Sequence, residues 1–207
     1  MALLALYKMK QKYFLVIGGA VLLIVLLGIF LFFSQKENVS DQNIKPVNVK
    51  DLSSLMLSVE DFPQNEGWTL KDRAERGKTD VSDYGLSIGW KRGYLASYLR
   101  GDLKSENLDY SRVDLYVSEY PVENISLTLK TQESDNYTQY DSLSSPLIGD
   151  ESKAYKVISV DEYGIESIYY QIEFRKSNLF YKLTIYGTRT DYDLLKELAT
   201  KTEEKLK

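Results

Sequence analysis

Residues 168–186 read IYYQIEFRKSNLFYKLTIY, and their alternation decides the fold. Ile168, Tyr170, Ile172 and Phe174 alternate with Tyr169, Gln171, Glu173 and Arg175; after Lys176-Ser177-Asn178, Leu179, Tyr181, Leu183 and Ile185 alternate with Phe180, Lys182, Thr184 and Tyr186. Successive side chains of a strand point to opposite faces, so a period of two marks a half-buried strand. Two such runs about a short polar turn form a hairpin. With a strand expected near 153–160 and a turn at Asp161-Glu162-Tyr163-Gly164, the region becomes a three-stranded antiparallel meander. One face is aliphatic and buried, and the other is tyrosine-rich.

Working outward, a helix closes the chain. Leu194, Leu195, Leu198, Ala199, Thr202 and Leu206 form its apolar stripe, and Thr190 with Asp193 has the spacing of a capping box. Upstream, Val113, Leu115 and Val117 share one face of a strand over 111–120, with Arg112, Asp114 and Ser118 on the other. Pro121 then opens an amphipathic helix to about Glu133, carried by Val122, Ile125 and Leu129. Residues 134–145 read as polar loop with room for one pair of strand residues. Strands are expected at 68–74 and 94–100, while 80–90 fits a short helix or a strand. Consecutive strands with helices set apart from them define an α+β layout, an antiparallel β-sheet flanked by helices.

One further helix precedes this sheet. Residues 13–33, YFLVIGGAVLLIVLLGIFLFF, hold no charge, and about twenty such residues span a bilayer core of about 30 Å. Lys8, Lys10 and Lys12 flank the run on its short side with no acid among them, which places that side in the cytoplasm. The run is longer than a signal-peptide core and ends Leu31-Phe32-Phe33 without a small-residue cleavage site. The expected organisation is a cytoplasmic tail (1–12), a transmembrane signal-anchor helix (13–33), a polar linker (34–54) and an extracytoplasmic α+β domain (55–207). The membrane is thus the first partner.

Composition removes much chemistry. There is no cysteine and no histidine, so thiol nucleophiles, histidine triads and the usual zinc sites are impossible. All 30 acidic residues follow Phe33, so the outer part is more acidic than the net −4 of the chain. Nucleic-acid binding rests on Lys and Arg neutralising phosphates, and is not expected. No cofactor is expected. Asp141, Asp150 and Glu151 lack calcium-loop spacing, Asp161 with Glu162 reads as a solvated turn, and Glu60 beside Asp61 shows no cleft. No catalytic or metal-ligating residue is assigned.

Asn38, Asn124 and Asn136 each open an Asn-x-Ser/Thr sequon and are candidate glycosylation sites. Tyrosine numbers 17, and Tyr169 and Tyr186 on the polar side of the meander are the candidate binding face. A non-catalytic binding module for a protein or envelope component follows. The alternatives are a surface hydrolase using carboxylates or a Ser–Lys pair, and a passive envelope element.

The stretch EDFPQNEGW (60–68), the GDES turn (149–152), the hairpin FRKSNLFYKLTIYG (174–187) and the closing helix resemble PsbP-like extracytoplasmic domains. The resemblance spans about 55–207. It implies an antiparallel sheet flanked by helices and a binding, sensing or assembly role without catalysis. With about twelve residues expected inside the cell, a signalling-receptor role is not expected.

Overall fold

The computed structural model describes residues 45–101, 109–129 and 137–206. The tail, the apolar run 13–33 and the sequons at Asn38 and Asn136 lie outside the described residues. Among the described residues, no helix is long and apolar enough to cross a membrane.

Among the described residues, seven strands form one antiparallel sheet: β1 (Thr69–Arg76), β2 (Arg92–Gly101), β3 (Tyr110–Glu119), β4 (Thr138–Leu143), β5 (Glu151–Val160), β6 (Glu166–Lys176) and β7 (Leu179–Gly187). Their order is β1-β2-β3-β7-β6-β5-β4. The chain lays down a three-stranded meander, crosses to the far edge, and returns through four strands until β7 pairs with β3. The expected meander β5-β6-β7 is present, with Tyr169 opposite Val157 and Phe174 opposite Tyr181.

Alternation assigns the faces. On one, Ala96, Val113, Leu115, Val117, Ile172 and Leu183 are fully buried. Helix α2 (Tyr192–Glu204) covers them through Leu194, Leu195, Leu198 and Ala199. The face is not wholly aliphatic, since Tyr98 and Tyr181 sit within it and the Tyr181 ring stacks on Phe174 at 4.5 Å between centroids. Its N-cap is Asp191, whose carboxylate accepts from the backbone N–H groups of Asp193 and Leu194 at 2.8 and 3.1 Å. The cap falls one residue after the expected Thr190, at the residue whose carboxylate reaches both free amides.

Residues 45–54, expected in the linker, lie against the sheet domain. The Val47 N–H donates to Asn178 Oδ1 at 2.8 Å, and Leu52 is buried in the core beside Leu55 and Leu57. The chain therefore enters at the β6–β7 turn.

On the other face, the 3-10 helix Val122–Leu129 replaces the expected α-helix. Ile125 and Leu129 are buried, and Ile125 joins Ile88, Trp90 and Tyr120 in a small second cluster against Phe180. Helix α1 (Asp83–Ser87) settles the ambiguous stretch as one short turn of helix, capped by the Ser82 hydroxyl. Residues 134–145, expected as loop, contain β4, an edge strand half-exposed on both sides.

Candidate functional site

The second sheet face is covered only in part, and what remains open is a groove of about 850 Å3. That lies within the size range of small-molecule sites. Strand β1 contributes Arg76, β3 Asp114 and Tyr116, β6 Tyr169, and β7 Lys182 and Tyr186. Each points the same way because each sits at an even step from its neighbours along a paired strand: Tyr116 lies opposite Lys182, and Asp114 opposite Thr184. The two predicted binding-face residues, Tyr169 and Tyr186, both line the groove. They stand on β6 and β7.

One end of the floor is a closed polar network. Asp114 is almost fully buried, and its Oδ1 accepts from the Ser97 hydroxyl at 2.6 Å and from Arg112 Nε at 2.9 Å. Its Oδ2 accepts from the Tyr186 hydroxyl at 2.8 Å. Arg112 also donates to Ser97 Oγ at 3.1 Å and lies over the Tyr186 ring at 5.4 Å. Burial, and then the bond to Asp114, push the Tyr186 phenol well above its usual range. This carboxylate has a donor on every side, so it is a rigid part of the floor.

Midway along the groove the chemistry is cationic and aromatic. The Arg76 guanidinium lies 5.1 Å over the Tyr116 ring, donates to the Asp80 carbonyl oxygen, and reaches Ser118 Oγ at 3.4 Å. Burial pushes the Lys182 ammonium below the usual lysine range; Glu173 acts in the opposite direction and Arg76 adds to the depression. Burial also raises the Tyr116 and Tyr169 phenols. At neutral pH the groove offers hydroxyl donors and two cations.

The other candidates fall elsewhere. The Asn124 side-chain amide donates to the Ile88 carbonyl oxygen at 3.0 Å and is half-buried, so the nitrogen a glycan would occupy already ties α1 to the 3-10 helix. Asp150 accepts from the Ser177 N–H at 2.6 Å, Glu151 pairs with Arg175 at 3.1 Å, and Asp141 accepts from Gln139 at 2.8 Å. Asp161 accepts from the N–H groups of Tyr163 and Ile165, closing its turn. Asp61 pairs with Lys205 at 2.8 Å and accepts from the Ser58 N–H at 2.7 Å, so its carboxylate is committed to the loop. Among the described residues no three acids gather as a metal site would require.

Alternation in β3 and β7 already placed Asp114, Lys182 and Thr184 on the polar side. What the sequence could not supply was the β3–β7 pairing, which joins strands about seventy positions apart, and the extension of β1 to Arg76.

No family model matches the chain, and no curated protein matches it. Among solved structures, it is similar to the extracellular domain of PknH from Mycobacterium tuberculosis, with a TM-score of 0.55 and 13% identity over 79% of this chain and 98% of that one. An uncharacterised Mycobacterium smegmatis protein, the Rv0999 ortholog, aligns at a TM-score of 0.48 and 11% identity over 75% of this chain and 96% of that one. At such identity the likeness to the PknH domain is one of fold. These comparisons do not show the PsbP-like resemblance. Fold and groove together define an antiparallel α+β domain with an open pocket on one sheet face.

Proposed function

We propose that the chain is a membrane-anchored, outward-facing binding module that holds a small ligand in the sheet-face groove and does no chemistry on it. The groove carries this reading: about 850 Å3 rimmed by Tyr116, Tyr169 and Tyr186, with polar groups converging on it. Phenol rings supply flat contact area with a donor at the edge, the makeup of recognition surfaces. The apolar run 13–33 and the lysines before it support the anchoring and its direction. The fold, shared with a domain described as extracellular, supports the same placement.

A hydrolase would need an available nucleophile and base. Asp114 is held by three donors, and among the described residues no serine hydroxyl bonds to Lys182, which supports a binding role for the groove.

Native mass spectrometry of the full chain in nanodiscs, after incubation with a low-molecular-mass envelope extract, tests the reading. An adduct is expected on the native protein and not on Leu95→Trp, whose larger ring fills the groove. No adduct, or one that survives Leu95→Trp, overturns it.

A further inference from the structure

Among the described residues, no acid in or beside the groove forms an ion pair with Arg76 or Lys182. Of the groove's acids, Asp114 is already committed to Arg112, Ser97 and Tyr186. Asp80 turns its carboxylate onto the Gly77 N–H at 2.7 Å and offers Arg76 only its backbone carbonyl. Glu75 pairs with Tyr94, one step from Arg76 along β1, so its side chain leaves from the opposite face of the sheet. Glu173 stands opposite Lys182 in register and acts on its charge, but it is nearly buried, accepts from Gln171 at 2.8 Å and, among the described residues, is not joined to Lys182 by an ion pair. That leaves Arg76 and Lys182. Among the described residues neither forms an ion pair, although both line the groove and both flank Tyr116, Arg76 over its ring and Lys182 opposite it in register.

Burial strips hydration from Lys182 and Arg76 beside it repels it, while Glu173 opposite offsets part of that cost. Such an arrangement is costly alone and favourable around an anion, which restores to both a charge-assisted partner. The guanidinium is also already oriented, its plane fixed by the Tyr116 ring and by the Asp80 carbonyl, so little freedom remains to be lost on binding.

We infer that the ligand of this groove is a ring-sized molecule bearing a carboxylate or phosphate, its anion held by Arg76 and Lys182 and its ring laid against Tyr116 and Tyr169. The inference rests on the groove being the ligand site and adds the chemical class of what enters. A ring body follows from the lining, since phenol faces stack on flat sugar or aromatic surfaces while their hydroxyls bond to ring substituents.

Titration calorimetry on the full chain in nanodiscs, with glucuronate, glucose 6-phosphate and glucose as probes, tests it. At least one anionic probe is expected to bind about tenfold or more tightly than glucose, with a preference that shrinks as salt is added. The two anions tell carboxylate from phosphate. Arg76→Gln and Lys182→Met are each expected to reduce the preference for the anion about tenfold, while Lys182→Arg retains it and serves if the methionine variant does not fold. Equal binding of glucose and both anions overturns the inference while leaving the groove reading intact. Anion binding indifferent to both substitutions overturns it too, as does binding by none of the probes. A native adduct that persists in Leu95→Trp instead fails the groove reading itself.

Discussion

Gly149 adopts a φ of +65°, and a Cβ placed there would stand 2.3 Å from the Arg175 carbonyl oxygen. That carbonyl cannot yield, because it accepts the Asp150 N–H at 2.7 Å. Gly164 has a similar φ of +79° with nothing within 4 Å. Gly149→Ala therefore adds a backbone collision to the left-handed penalty of about 1–2 kcal/mol that Gly164→Ala carries alone. Urea midpoints are expected to fall further for Gly149→Ala by roughly another 1–2 kcal/mol; equal losses would remove the collision from the argument. Tyr98 bears on pH. It is fully buried within the core, and its hydroxyl donates to the Leu57 carbonyl oxygen. Burial pushes its phenol from 10.0 up to about 12, with Arg73 pulling down and Asp61 adding to the rise. A group raised on folding gives stability that is whole below the unfolded pKa and is lost as pH climbs through the folded one. Stability should thus fall between about pH 10 and about pH 12, by up to ~2–3 kcal/mol from this residue. Tyr98→Phe loses a hydrogen bond at neutral pH and is expected to flatten that alkaline fall. Burial raises Tyr181 in the same direction, so part of the fall remains. Denaturation curves at about pH 8 and about pH 11 measure the difference.

At the scale of elements, the cap of α2 separates spacing from geometry. Thr190 satisfies the sequence pattern, but Asp191 makes the bonds. Asp191→Ala is expected to cost about 1 kcal/mol and Thr190→Ala close to nothing, read from thermal unfolding; the reverse ranking would restore the pattern over the geometry. Other elements were legible in proportion to how one-sided their burial is. Strands β3, β6 and β7 have one dry face, so Val113-Leu115-Val117 and Leu179-Tyr181-Leu183 announce themselves by alternation. Strand β4, TQYDSL, is an edge strand with no dry face, and so it read as loop. The 3-10 helix Val122–Leu129 shares its apolar spacing with an α-helix, and Ile125 and Leu129 are buried either way; periodicity alone does not separate the two over eight residues. Residues 45–54 drape over the domain edge without period, and nothing in their composition signals that Leu52 reaches the core. The groove was half legible for the same reason. Tyr169 and Tyr186 follow from alternation inside one meander. Arg76 joins them only through the strand order, which brings the first meander beside the second at β3–β7.

Considered as a whole molecule, the chain pairs an apolar run near its start with an α+β domain whose function depends on the solvent it faces. In the proposed orientation the groove's ligand comes from outside the cell, so orientation is the premise to test directly. The sequence offers a clean route, because it contains no cysteine and any thiol introduced is the only one present. Leu147 is fully exposed beside the GDES turn, and its side chain covers nothing, so Leu147→Cys should leave stability within about 0.5 kcal/mol. Ala2→Cys places the second probe in the short tail. A membrane-impermeant maleimide applied to intact cells is expected to label Leu147→Cys and to label Ala2→Cys only after the membrane is opened. The lysines at 8, 10 and 12 are the basis for that expected direction, since positive charge is retained on the cytoplasmic side. Replacing all three with glutamine should weaken the bias, so that a fraction of Ala2→Cys becomes reactive in intact cells. Labelling of Ala2→Cys alone in intact cells would reverse the orientation and turn the groove toward cytoplasmic metabolites. Equal labelling of both without opening the cell would mean that the run does not hold the chain across the bilayer.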